Sequence, residues 1–243
     1  MINSPPPSVP RKSWLDRVQA LFEILLMSGL VSGFLASFPL FALVEGSGES
    51  LVGDARIIAL SLLLESAFSL LILILILRLR GEPFSSLGLH LDRWKFQSAL
   101  GLGLIPFLFF VNVVVAVVFK YYFPEHYLEE NPLSKTIRSP GQLVLFIFAA
   151  LIAGAIKEEL QRAFILNRFR DYLGGAVVGL VVWSLAFGAG HYVQGYQGIA
   201  TTTLLGLLFG IVYLKTRSLI GPIVAHGTYN TIALLAYWFF APR

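Results

Sequence analysis

The sequence predicts an all-α fold, a polytopic transmembrane helical bundle of about seven to eight spans. Hydrophobic residues make up 56% of its 243 residues and charged residues only 13%, with a mean hydropathy of +0.76. A soluble domain carries about 25% charged residues. Apolar runs also recur along the whole chain, many near the roughly 20 residues needed to cross a bilayer, leaving hardly any length for a separate soluble domain.

Taken in order, residues 1–20 read as a flexible cytoplasmic tail, because Pro5, Pro6, Pro7 and Pro10 lie in a polar stretch unable to pack. Residues 21–140 read as the N-terminal transmembrane helices and 141–243 as a core carrying the site. The first apolar run, 21–44, exceeds the apolar part of a secretory signal and lacks an A-x-A cleavage site, so it is expected to stay as a span. Further spans are expected at 57–77, 98–119, 142–156, 176–187, 199–214 and 219–240, with room for an eighth in a re-entrant piece.

Lys and Arg mark the cytoplasmic side of such a bundle. Arg11, Lys12 and Arg17 precede span one; Arg78, Arg80, Arg93 and Lys95 follow span two; Arg162, Arg168 and Arg170 follow span four; Lys215 and Arg217 follow span six. The opposite turns hold only Arg56, Lys120, Lys135 and Arg138. The N-terminus is therefore expected in the cytoplasm. The net charge of +4 is spread over these turns rather than gathered on a face, so no nucleic-acid partner is expected.

There is no cysteine, which excludes disulfides, thiolate metal sites and a cysteine nucleophile. Chemistry must come from oxygen and nitrogen groups, and most of these lie after residue 140. An ionisable residue inside a span costs about 2.5–3.5 kcal/mol even on the lenient insertion scale, so each needs a reason. Glu65, alone at mid-span in LLLESAF, reads as a packing or interhelix hydrogen-bonding residue. Gly206 and Gly210 form a GxxxG that permits close helix approach.

The segment AGAIKEELQRAF brings Lys157, Glu158, Glu159 and Arg162 together after an apolar run, with Glu158 and Arg162 spaced i,i+4. The apolar pattern then continues to His191, interrupted only by Gly174 and Gly175, which predicts a helical hairpin. Its arms are equal, so Glu158 and His191 should lie at one height, about 24 Å from the turn. The arm 162–172, mixing apolar residues with arginines, should emerge partly at the interface. His226 and Asn230 are one turn apart on the last span. A carboxylate with an imidazole can activate water, directly or around a divalent metal, and a second histidine with an asparagine can donate to an oxyanion. A proton-coupled transporter uses the same residue types.

Three motifs in order carry a family resemblance: Glu158-Glu159…Arg162, Phe187-xxx-His191 and His226-xxx-Asn230. The chain thereby resembles the CPBP membrane proteins, which include the CAAX prenyl endopeptidases and bacteriocin-processing or immunity proteins. The resemblance implies an intramembrane endopeptidase in the plasma (inner) membrane of a prokaryote, acting on a peptide or protein substrate, lipidated or not. A motif-one glutamate would work with His191 on the attacking water, while His226 and Asn230 would stabilise the oxyanion. Arg162, Phe187 and Lys157 would support the site. Family members are described both as metal-free glutamate proteases and as metalloproteases, the latter implying a divalent metal such as zinc on His191 and His226. A non-catalytic scaffold or immunity protein is the alternative.

The family pattern has three residues between the glutamate pair and the arginine, whereas EELQR has two. Anchoring on Arg162 makes Glu158 the arginine-pairing glutamate and puts Lys157 where the catalytic one stands. Anchoring on the glutamates keeps Glu158 as base and turns Arg162 by about 100°. The first register removes the usual base: Lys157 is then a neutral buried amine, or Glu158 or Glu159 takes over through a local bulge such as a π-turn.

Overall fold

The computed structural model describes residues 13–45 and 53–241, which form nine α-helices and no strand. The expected tail lies outside the described residues as far as residue 12, but residues 14–20 belong to a helix. That helix, α1 (Trp14–Met27), is nucleated by a capping box: Asp16 N–H donates to Ser13 Oγ, and Ser13 N–H donates to the Asp16 carboxylate. The apolar run 21–44 is not one straight helix. Gly29, at φ +94°, separates α1 from α2 (Leu30–Glu45), a conformation that glycine adopts without steric cost.

Next come α3 (Ala55–Arg80), capped by Asp54 and closed by left-handed Gly81, and α4 (Trp94–Tyr122). Then α5 (Pro140–Ala150) runs through a π-helical segment, Leu151–Lys157, straight into α6 (Glu158–Tyr172). Gly174 and Gly175, both at positive φ, turn the chain into α7 (Ala176–Gly190). The predicted hairpin is present, with arms of 15 residues each. The bundle closes with α8 (Gly195–Thr216) and α9 (Ile220–Phe240).

Four stretches are long and apolar enough to cross a membrane: Trp14–Ala42, Ala55–Arg80, Trp94–Tyr122 and Tyr192–Thr216; Ala176–Gly190 is a shorter apolar helix. The α5–α6 stretch and α9 fall outside that set. The polar motif residues His226 and Asn230 dilute the hydropathy of α9, while α5 and α6 are only 11 and 15 residues long on either side of the π-helical segment.

Unlike the expected interfacial arm, α6 is central. Every residue from Glu159 to Phe169 is buried, and Phe164, Ile165 and Leu166 are packed with Met27, Leu73, Leu77 and Leu219. Two arginines counted toward the cytoplasmic side, Arg162 and Arg168, are therefore inside the protein. Each is compensated by carboxylates rather than by water. Outward faces of α2 and α4 expose Phe34, Phe38, Phe107 and Phe110, as suits helices solvated by lipid.

Two close helix approaches position the site. On α8, a Cβ at Gly206 would lie 3.3 Å from the Phe187 ring and one at Gly210 3.7 Å from Arg162 Cδ, so the GxxxG seats motif side chains. At the α4–α9 crossing, Gly101 packs on the backbone of Gly221 and Ala225.

Candidate active site

The two glutamates opening α6 have different surroundings. Glu159 is fully buried; it accepts a hydrogen bond from His226 Nδ1 at 2.8 Å and pairs with Arg162 at i,i+3. The expected Glu158–Arg162 pair is not formed, because the Arg162 guanidinium lies toward Glu159, between the rings of Phe187 and Phe209, 4.9 and 5.5 Å from their centroids. Glu158 keeps 13% of its side chain exposed, with Oε2 3.9 Å from His226 Nε2. Both carboxylates thus address one imidazole, one at each ring nitrogen. The Phe209 ring stacks on that imidazole at 4.9 Å.

A carboxylate only accepts, so the proton on His226 Nδ1 is committed to Glu159 and Nε2 is the nitrogen left for chemistry. Asn230, one turn along α9, projects beside it. The two side chains converge on Gly154 of the π-helical segment: a Cβ there would stand 2.7 Å from Asn230 Nδ2 and 3.4 Å from His226 Nε2. Gly227 lets α9 approach from the other side, where an added Cβ would meet Ala155 Cβ at 3.1 Å. The rotation of α9 is fixed by Asn112 of α4, which donates to the Tyr229 hydroxyl.

His191 ends α7. Its Nδ1 lies 2.8 Å from the Phe187 carbonyl, an acceptor, so Nδ1 carries the proton and the neutral ring presents a lone pair at Nε2. The Phe187 ring bridges the motifs, 4.6 Å from His191 on one side and against Arg162 on the other. No hydrogen bond or ion pair among the described residues joins His191 to Lys157, Glu158 or Glu159; the glutamates meet His226 instead.

Lys157 is not an unpaired amine. Its Nζ is 2.8 Å from Glu65 Oε2 and 3.9 Å from Glu158 Oε1. Glu65, read from sequence as a packing or interhelix hydrogen-bonding residue, does make such a bond, its other oxygen accepting from Ser32 Oγ at 2.7 Å, and through Lys157 it also borders the site. A mid-span acid is the signal that could have located it. Phe209 and Gly154 carry no such signal. Among the described residues no three His, Cys, Asp or Glu side chains are grouped so as to hold a metal ion, and zinc sites take three or four protein ligands.

Residues 139–232 match the model of the type II CAAX prenyl endopeptidase Rce1-like family. No curated protein and no solved structure matches the chain. The matched stretch runs from the cap of α5 into α9 and contains Lys157, Glu158, Glu159, Arg162, Phe187, His191, His226 and Asn230. This stretch is thus similar to the CAAX-protease family, the resemblance that the three motifs led one to expect.

Proposed function

We propose that the protein is an intramembrane endopeptidase that hydrolyses a peptide bond of a membrane-associated substrate, with Glu158 as general base. The observation that carries this reading is the two-sided engagement of His226, by buried Glu159 at Nδ1 and by the freer Glu158 facing Nε2. A 3.9 Å gap is too long for a direct hydrogen bond and leaves the Glu158 carboxylate available to water. Glu158 takes a proton from that water as its oxygen attacks the scissile carbonyl, and His191 Nε2 offers a second acceptor. Asn230 Nδ2–H and, in the imidazolium form balanced by Glu159, His226 Nε2–H donate to the oxyanion. Collapse breaks the C–N bond, and the amine leaves with the proton held by Glu158. The reading takes the metal-free alternative and routes no step through an ion.

The membrane arrangement belongs to the same proposal. The four long apolar helices, together with the α5–α6 stretch, α7 and α9, supply seven crossings, with the N-terminus in the cytoplasm of a prokaryotic cell. Bilayer lipid and a peptide or protein substrate, lipidated or not, are the partners.

The test is hydrolysis of a quenched peptide library, with and without a prenyl-like tail, by purified protein in detergent. Wild type should cleave, while Glu158→Ala, Glu159→Ala and His191→Ala should be impaired; equal activity in all four, or none in wild type, ends the hydrolase reading. The ammonium of Lys157 near Glu158 favours a second reading, a non-catalytic scaffold or immunity-type binding protein. Retention of a cellular phenotype by His191→Ala and His226→Ala would select it.

A further inference from the structure

A lysine beside a carboxylate base is a hazard, because an ammonium that closes on the base takes up the lone pairs that should receive the proton. Lys157 precedes Glu158 in the chain and is 8% exposed, so water screens it little. It nevertheless stands 3.9 Å from Glu158 and 2.8 Å from Glu65. Glu65 is the carboxylate that holds it.

We propose that Glu65, on α3 and outside the family-matched stretch, is a positioning residue that draws the Lys157 ammonium off Glu158 and so keeps the base free. The inference rests on the hydrolase reading above. Both Glu65 oxygens are assigned: Oε2 to Lys157, and Oε1 to Ser32 Oγ at 2.7 Å. Ser32 reaches it because the chain breaks at Gly29, where an added Cβ would sit 3.8 Å from Glu65 Oε1 and 3.9 Å from Gln161 Nε2. Gln161, on α6 beside the motif, donates to the Met27 carbonyl at the same break. The α1–α2 junction is thus tied both to α6 and to the carboxylate that restrains Lys157. Without Glu65, the nearest remaining anion for a buried ammonium is Glu158, and an unpaired buried charge is strongly driven to find one.

The experiment compares purified wild type, Glu65→Gln, and Glu65→Gln/Lys157→Met on a quenched peptide that wild type cleaves, with thermal unfolding recorded for each. Glu65→Gln should lower kcat about ten-fold or more while KM changes less than about three-fold, because the base is blocked and the binding surface is kept. The double variant, which removes the ammonium as well, should recover most of that kcat. A purely structural role would lower the unfolding temperature and the folded fraction without changing kcat per folded molecule. Unchanged kcat in Glu65→Gln, or a double variant as slow as the single one, overturns the proposal while leaving the hydrolase reading intact. If Glu65→Gln does not fold, the double variant decides, since it must exceed Glu65→Gln/Lys157→Arg, which retains a cation, by about ten-fold. Failure of wild type to cleave any peptide overturns both.

Discussion

The Glu159 carboxylate, wholly out of contact with solvent, lies 2.8 Å from His226 Nδ1 and thereby joins the start of α6 to the middle of α9. Arg162 completes a buried triad with them. A buried charge costs several kcal/mol in desolvation, which the opposite charge of Arg162 and the hydrogen bond from His226 offset here. The triad is therefore a structural joint as well as a part of the site.

Removing Glu159 should accordingly damage the fold before it damages the chemistry. Glu159→Ala leaves Arg162 uncompensated between two rings and His226 without its acceptor. A loss of about 3–5 kcal/mol is expected, corresponding to an unfolding temperature lower by roughly 10 °C for a chain of this size. Thermal unfolding in detergent checks it, and a shift within 2 °C would contradict the joint.

Glu158 should behave in the opposite way. Its side chain is partly exposed and makes no hydrogen bond among the described residues, so Glu158→Gln should leave the unfolding temperature within a few degrees of wild type. As the base, however, its loss should lower kcat by about 10²–10⁴-fold. Paired measurement of melting and single-turnover cleavage separates the two glutamates.

Gly154 offers a test of the convergence of His226 and Asn230. In Gly154→Ala the new methyl would stand 2.7 Å from Asn230 Nδ2 and 3.4 Å from His226 Nε2, so both groups must move. Overpacking of this kind costs about 1–3 kcal/mol. A fall in kcat at least ten-fold is expected from displaced oxyanion donors. Full activity in the folded variant would mean that the two nitrogens act elsewhere.

Much of this arrangement was readable before any coordinates, and the unread part has physical causes. The hairpin was legible because Gly174 and Gly175 interrupt an otherwise continuous apolar pattern, and both occupy positive φ. His226 and Asn230 were legible because i,i+4 spacing puts them on one helix face. The pairing of Arg162 was not, since i,i+3 and i,i+4 partners are equally near on a helix and tertiary packing chooses. Here the choice falls to the rings of Phe187 and Phe209, which come from different helices. The π-helical segment before Glu158 widens the turn and resets how α6 faces the bundle relative to α5. Hydropathy does not register such a change; the two-residue gap between Glu159 and Arg162 was the one sign of it, pointing to a local bulge such as a π-turn. Glu65 was visible as an anomaly, but its partner lies on another helix, and only the crossing of α3 with the π-helical segment brings Lys157 to it.

At the α4–α9 crossing, an added Cβ at Gly101 would lie 2.5 Å from the Gly221 carbonyl oxygen and 3.2 Å from Ala225 N. These are backbone atoms and cannot rotate aside. Gly101→Ala should therefore push α9 as a unit and cost about 1–3 kcal/mol, and because α9 carries His226 and Asn230 it should depress kcat as well. Gly103 supplies the control. It lies on the same helix with open space around its Cβ position, and Gly103→Ala should be neutral or slightly stabilising. Equal behaviour of the two variants would contradict the close approach.

The far end of α6 is anchored by Arg168, whose Nε donates to Glu23 at 2.6 Å and whose Nη1 donates to Glu82 at 3.0 Å. Glu23 also accepts from Arg80 at 2.7 Å, so a carboxylate of α1 gathers arginines from α3 and α6. The Arg168 guanidinium rests on the Phe164 ring, 4.4 Å from its centroid. Among the described residues no hydrogen bond or ion pair joins this network to Glu158, His191 or His226, which makes it a separator of stability from chemistry. Arg168→Met removes the cation and leaves Glu23 with Arg80 and the neutral Gln19 amide. Breaking a buried pair in this way should cost about 3 kcal/mol or more, read as a lower unfolding temperature, with kcat per folded molecule close to wild type. Replacing Glu23 by Gln should cost about as much, and the double variant less than the sum, because the two losses share one interaction. Additive losses would show that Glu23 and Arg168 act independently.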